Sequence, residues 1–148
     1  MLRTSTRARY ALRAMIELAR HEGRGPILLR EVADAQRIST KYLEQLTIPL
    51  RRAGLLLAQR GPQGGYALAR PAERITTRDI VEAVEGPVRV LDCLRSAHAC
   101  DRTRTCAARG LWGRINRAIT EVLTETTLAD LLESQRQAEA QQISCYEI

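Results

Sequence analysis

Apolar residues in this chain recur mostly at helical spacing. Leu12, Met15, Ile16 and Ala19 form one stripe within Thr6–Arg20, and Gly23, Gly25 and Pro26 close that segment. Leu29, Val32 and Ala33 give a short second helix one apolar face. After a break at Gln36-Arg37-Ile38, Ser39 is placed to cap a third helix, from Thr40 to about Arg52, with Ala53-Gly54 at its end. Pro49 falls late in that helix, where its missing N–H removes one backbone bond and favours a bend. Two short apolar runs, Leu55–Arg60 and Tyr66–Ala69, flank Gly61-Pro-Gln-Gly-Gly65 and predict a β-hairpin, closed by Pro71. Thr76-Thr77 can cap a helix bearing Ile80, Val81 and Val84, which Gly86-Pro87 ends. Leu111, Ile115, Ala118, Ile119 and Val122 predict a long amphipathic helix. Thr127 with Asp130 starts a last, short helix holding Leu128, Leu131 and Leu132, and a polar, Gln/Ala-rich tail follows from about Gln135.

Two short helices joined by a turn and followed by a hairpin make a winged helix-turn-helix. The expected fold class is therefore mainly α, with a small β-hairpin wing and a long helix in the C-terminal half. The third helix has a face to spare. With Lys41 at zero and about 100° per residue, Leu43, Leu46 and Leu50 fall near 200°, 140° and 180°. Glu44, Gln45 and Ile48 fall opposite, at about −60°, 40° and −20°. The leucines can dock on a scaffold while Ser39, Thr40, Lys41, Glu44 and Gln45 project near the helix start, where recognition helices meet a major groove. Lys41 suits phosphate or guanine, Gln45 suits adenine, and Glu44 accepts from the cytosine amino group. Glu44 also repels misplaced phosphates, so it discriminates rather than attracts. Arg60 and Gly61 open the glycine-rich tip of the wing, suited to a minor groove or phosphate. Arg51, Arg52, Arg7 and Arg9 are candidates for further backbone contacts.

Charge sharpens this picture. The 148-residue chain carries a net +6, placed unevenly: 13 Lys/Arg face 5 Asp/Glu in residues 1–70, against 10 and 12 in residues 71–148. A basic front half suits a polyanion; double-stranded DNA is the expected partner. Apolar residues make up 45% of the chain, enough for a core, and with no Phe and one Trp that core must be aliphatic. No apolar run reaches the roughly 18 residues of a membrane span. The start of the chain, broken by Arg3, Arg7, Arg9 and Arg13, reads as a basic helix rather than a signal peptide. A cytoplasmic protein with reduced thiols and no membrane role is expected. With no Ser/His/Asp set, no phosphate loop and only His21 and His98 as histidines, an enzyme is not expected.

The segment CLRSAHACDRTRTC crowds Cys93, Cys100 and Cys106 into a polar loop. Gaps of six and five residues are wider than structural zinc prefers, and suit a loop around an iron–sulfur cluster. Zinc, a regulatory disulfide and idle thiols stay open on spacing alone; Arg102, Arg104 and Arg109 nearby favour thiolates. A fourth ligand has local candidates in His98, Asp101 and Asp92. Cys145, far along the chain, is expected to be an accessory thiol.

The segments ARYALRAM, ISTKYLEQLTIPLRRAGLL and RGPQGGYAL, with the three-cysteine loop followed by GLW, resemble the Rrf-two family of winged-helix transcription regulators from about Leu2 to Leu132. The resemblance implies a homodimer, joined through the long helix at about 107–126. It also implies an iron–sulfur cluster on Cys93, Cys100 and Cys106, with 2Fe-2S favoured over 4Fe-4S. Arg109 stands where IscR-like members have a histidine, and Arg7 to Arg9 where NsrR-like members have an acid; the terminal Tyr-Glu-Ile is similar to CymR-like members, which lack the triad. The implied layout is a regulator domain over 2–132, with helix-turn-helix about 28–52, wing about 55–70, cysteine loop 93–106 and dimerisation helix about 107–126, then a polar tail over 133–148. The implied function is a homodimeric regulator, reading a pseudo-palindromic operator and sensing iron, redox state or nitric oxide. Two other readings are a cluster-free thiol-switch or cysteine-metabolism repressor, and a redox or metal-handling protein whose helix-turn-helix is incidental.

Overall fold

The computed structural model describes residues 5–96 and 98–146, with side chains through Gln142. Leu2, at the expected domain start, the side chain of Cys145, and Glu147-Ile148 lie outside these. Among the described residues six α-helices and one hairpin follow in order: α1 (Thr6–Arg20), α2 (Leu29–Gln36), α3 (Thr40–Arg52), β1 (Leu56–Gln59), β2 (Gly65–Leu68), α4 (Thr77–Glu85), α5 (Ala107–Glu125) and α6 (Leu128–Tyr146). The mainly α, winged arrangement matches the pattern of the sequence. Single 3-10 turns sit at Ala72–Arg74 and Asp92–Leu94. No described helix is long and apolar enough to cross a membrane.

Local chemistry starts the helices where expected. Ser5 Oγ accepts from the Ala8 N–H at 3.1 Å and Ser39 Oγ from the Tyr42 N–H at 3.1 Å. Thr76 and Asp79 satisfy each other's backbone N–H groups at 3.1 and 2.9 Å, and Thr127 and Asp130 repeat the device at 3.1 and 2.8 Å. Pro49 does not end α3, which runs on to Arg52; Gly54, at φ +70°, then turns the chain into the wing.

The core is aliphatic: Met15, Val32, Leu43, Leu46, Leu50, Leu55, Ile75, Ile80 and Leu128 are its largest fully buried side chains. α1 lies at its centre, packed against α2, α4 and α6. α5 is different. None of its residues is buried, and it rests on α4 and the Asp92–Leu94 turn. Its C-terminal end is stitched to α4: the Thr77 hydroxyl donates to the Leu123 carbonyl at 2.8 Å and the Thr77 N–H to that of Thr126 at 2.9 Å.

α6 departs from the short helix expected. It continues for 19 residues across the boundary at 132/133. Leu128 and Leu132 anchor its first turns at 0% and 7% exposure. Beyond them, Arg20 of α1 pairs with Glu139, and Gln135 and Gln137 donate to Glu139 and Glu133 one turn away, each at 2.9 Å. The hydrogen bonds from Arg20 and Gln135 hold the Glu139 carboxyl below the ordinary glutamate range.

Candidate nucleic-acid interface and cysteine loop

The helix-turn-helix is set by a three-residue turn, Arg37-Ile38-Ser39. Arg37 adopts the left-handed conformation at φ +52°, and the Ile38 N–H closes onto the Ala33 carbonyl at 3.0 Å. Ile38 is 8% exposed and pins the turn to the core. α3 then docks by Leu43, Leu46 and Leu50, each at most 2% exposed. Tyr42 meets Tyr10 edge to face at 5.7 Å, and the guanidiniums of Arg9 and Arg13 each lie 5.5 Å from the Tyr10 ring. This cluster braces α3 against α1.

The opposite side of α3 is exposed at Ser39, Thr40, Lys41, Glu44, Gln45 and Arg51, the positions expected to read DNA, and at Ile48 and Arg52. Among the described residues, Lys41, Arg51, Arg52 and Arg60 take no part in an ion pair. Their charge is therefore available to a polyanion.

The wing is an antiparallel pair in register Leu56↔Leu68 to Gln59↔Gly65. Arg60 and Gly61 are exposed at its tip, and Gly61 at φ +110° accepts from the Gly64 N–H at 2.9 Å to close the turn. One support was not legible in the hydrophobic pattern. Ile27, before α2, bridges Tyr66 through two backbone bonds of 2.9 and 2.8 Å and ties the wing to the helix-turn-helix. Gly65 makes the approach possible, since a Cβ there would lie 2.3 Å from the Ile27 carbonyl oxygen.

In the cysteine loop, Cys93 is half-buried in the Asp92–Leu94 turn, while Cys100 and Cys106 are exposed; all three thiols are free. Cys106 is the residue before α5, and the Arg109 guanidinium donates to the Cys93 carbonyl at 3.3 Å. Among the described residues, no group of three or more His, Cys, Asp and Glu is placed to hold a metal ion. The loop thus holds Cys93, Cys100 and Cys106 in one segment without converging them, and His98, Asp101 and Asp92 complete no set. The physical reason is composition. The loop is held by turn bonds such as Thr103 N–H to the Cys100 carbonyl at 3.1 Å, with little apolar packing to force the sulfurs together. Ligands of this kind are gathered by the ion they bind, which supplies the folding energy. Three free thiols remain a suitable donor set for iron. The loop is also seated on α5: Leu94 packs over Gly113, where an added Cβ would lie 3.9 Å from its Cδ2.

A family model described as "Rrf2: Iron-dependent Transcriptional regulator" matches residues 4–134. The HTH-type transcriptional regulator CymR of Bacillus subtilis is 43% identical over 130 residues, 88% of this chain and 89% of CymR. Its solved structure, described as that of the global cysteine regulator, superposes with a TM-score of 0.78 at 42% identity, covering 90% of this chain and 98% of that one. The structure of T. potens IscR gives 0.77 at 37% identity, covering 93% and 90%. An oxidized form of Staphylococcus aureus CymR gives 0.73 at 40%, covering 89% and 97%.

Proposed function

The chain belongs to the Rrf2 family of DNA-binding transcription regulators, and from that premise we propose that it acts as a homodimer whose cysteine loop senses iron, redox state or nitric oxide. The relatives are regulators, not enzymes, and a helix-turn-helix incidental to metal handling is set aside with them.

DNA is read by Thr40, Lys41, Glu44 and Gln45 in the major groove, with Ser39 at the helix start. Arg51 lies on phosphate, and Arg60 and Gly61 in a flanking groove. Two protomers meet through α5. Leu111, Ile115, Ala118 and Val122 are spaced four, three and four apart, the spacing of a helix-pairing seam, and Leu111 and Val122 are 54% and 61% exposed. The operator is then a pseudo-palindrome with half-sites about one helical turn, or multiples of it, apart.

The observation that carries the sensing role is the seating of the loop. Three free thiols lie in the segment that joins α4 to the start of α5, and its first turn packs on α5 through Leu94. Any rearrangement of that segment shifts the proposed pairing helix and with it the spacing of two readers. Coupling of this kind amounts to about 1–3 kcal/mol in DNA affinity. Cys93, Cys100 and Cys106 would hold an iron–sulfur cluster, which supplies a redox-active, labile iron centre when bound. Anaerobic absorption spectra with iron and sulfide counts, on wild type and Cys100→Ala, test this. A coloured wild type and a depleted variant are expected; unchanged iron in the variant would remove Cys100 from the ligand set.

A second reading is a cluster-free thiol switch or cysteine-metabolism repressor. It is favoured by the similarity to CymR. Colourless anaerobic protein, with DNA affinity that changes on mild oxidation, would establish it over the cluster.

A further inference from the structure

Ile48 is out of place by the rules that govern the rest of α3. The other aliphatics of that helix, Leu43, Leu46 and Leu50, are at most 2% exposed, while Ile48 is 50% exposed. It lies within the face already described, with Glu44 and Gln45 one turn before it and Arg51 and Arg52 one turn after, all exposed. Lys41, Glu44, Gln45 and Ile48 stand at i, i+3, i+4 and i+7. That is the spacing with which a helix lying along a major groove reads successive base edges. Ile48 and Leu57, itself 59% exposed on β1, also line a groove of about 500 Å³ together with Arg51 and Arg52. The apolar position is therefore framed by base-reading groups on one side and cations on the other.

An isoleucine can neither donate nor accept a hydrogen bond, so it reads no amino, carbonyl or phosphate group. The apolar feature that a base pair presents in the major groove is the 5-methyl of thymine. We propose that Ile48 is a specificity residue that reads the methyl group of one thymine in each half-site. This rests on α3 being the recognition helix. Ile48 lies three residues, about 4.5 Å, along the axis from Gln45, a little more than one base-pair step of about 3.4 Å. The thymine is thus one step from the base met by Gln45, on the side toward Arg51 and Arg52.

The test uses the full chain and a duplex selected by the wild-type protein from a random-sequence pool. Each thymine is replaced singly by deoxyuridine, which deletes only the methyl, and affinity is measured by fluorescence anisotropy at one salt concentration. Wild type loses roughly three- to five-fold at one thymine per half-site, the equivalent of one buried methyl. Ile48→Ala binds the parent duplex more weakly by a similar factor and no longer distinguishes thymine from deoxyuridine there, while its response at every other thymine is unchanged. Ile48→Val, which keeps a branched apolar tip, retains the discrimination. Because Ile48 is half exposed, thermal melts of both variants should match wild type. The proposal is overturned if no thymine methyl matters to wild type, or if Ile48→Ala responds to each deoxyuridine as wild type does. Gln45→Ala separates the two levels: if it and Ile48→Ala both bind as tightly as wild type, α3 is not the reader; if Gln45→Ala alone weakens binding, only the thymine assignment fails.

Discussion

Replacing Gly65 by alanine tests the wing's attachment most directly. Gly65 sits at φ +148°, in a region essentially reserved for glycine, and an added Cβ would lie 2.3 Å from the Ile27 carbonyl oxygen and 2.6 Å from its carbon. Both are backbone atoms and cannot swing aside. The Ile27–Tyr66 bridge must open, and its two hydrogen bonds of 2.9 and 2.8 Å are lost. Backbone strain of about 1–3 kcal/mol and roughly 1 kcal/mol per lost bond give a destabilisation of about 3–5 kcal/mol. For a chain of this size each kcal/mol lowers Tm by about 2–4 °C, so a fall of roughly 6–20 °C is expected. Gly23→Ala is the control. It shares a positive φ, +77°, but has no atom within 4 Å of the added Cβ, so it costs only about 1–2 kcal/mol. Calorimetric melts of the two variants decide the matter, with hydrogen exchange at the Ile27 and Tyr66 amides as a local readout. If Gly65→Ala melts no lower than Gly23→Ala, or leaves those amides protected, the close approach of wing and α2 is not what holds the hairpin in place.

Ser39→Ala removes the cap on the Tyr42 N–H and should cost about 1 kcal/mol in a thermal or denaturant melt; Ser39→Asp should restore most of it. Arg60→Ala should weaken binding to all duplexes and lower the slope of log affinity against log salt by about one, measured between low and moderate salt; an unchanged slope would take Arg60 off the DNA backbone. Val122→Glu, at a position 61% exposed on α5, should shift the protein from dimer to monomer in sedimentation velocity with little change in its melt; a dimer that survives would place the interface elsewhere. The Arg20 and Gln135 hydrogen bonds depress the Glu139 pKa, so their support of α6 is complete above the ordinary carboxylate range and is lost as pH falls below that range, through the lowered pKa of the folded protein. Hydrogen exchange should show the second half of α6 losing protection on acidification before α1 does, and Glu139→Gln should flatten that dependence.

Much of this molecule is written in short-range terms. The hydrophobic stripes of α1, α3 and α4, the caps at Ser39, Thr76 and Thr127, and the glycine-rich wing are interactions between residues at most four apart, or the preferences of single residues. They could be read directly, and with them the order helix, turn, helix, hairpin and the exposed face from Ser39 to Arg51. The three clustered cysteines were equally plain as chemistry. Their arrangement was not, because a polar loop has no packing that dictates where its sulfurs point.

The sequence by itself thus determined where α1 to α5 lie, which face of α3 is apolar, and that three thiols share one loop. Tertiary structure alone decided the rest. Arg20 meets Glu139 across 119 positions of chain and ties the second half of α6 to α1. The wing is held because Ile27 reaches Tyr66 past Gly65. The turn at Arg37 is fixed by Ile38, which is buried in the core among residues of other helices. α5 leaves Leu111 and Val122 exposed because it rests on α4 and the Asp92–Leu94 turn at the edge of the core. Each of these depends on contacts between distant residues, and no local pattern encodes which distant partner a residue will find.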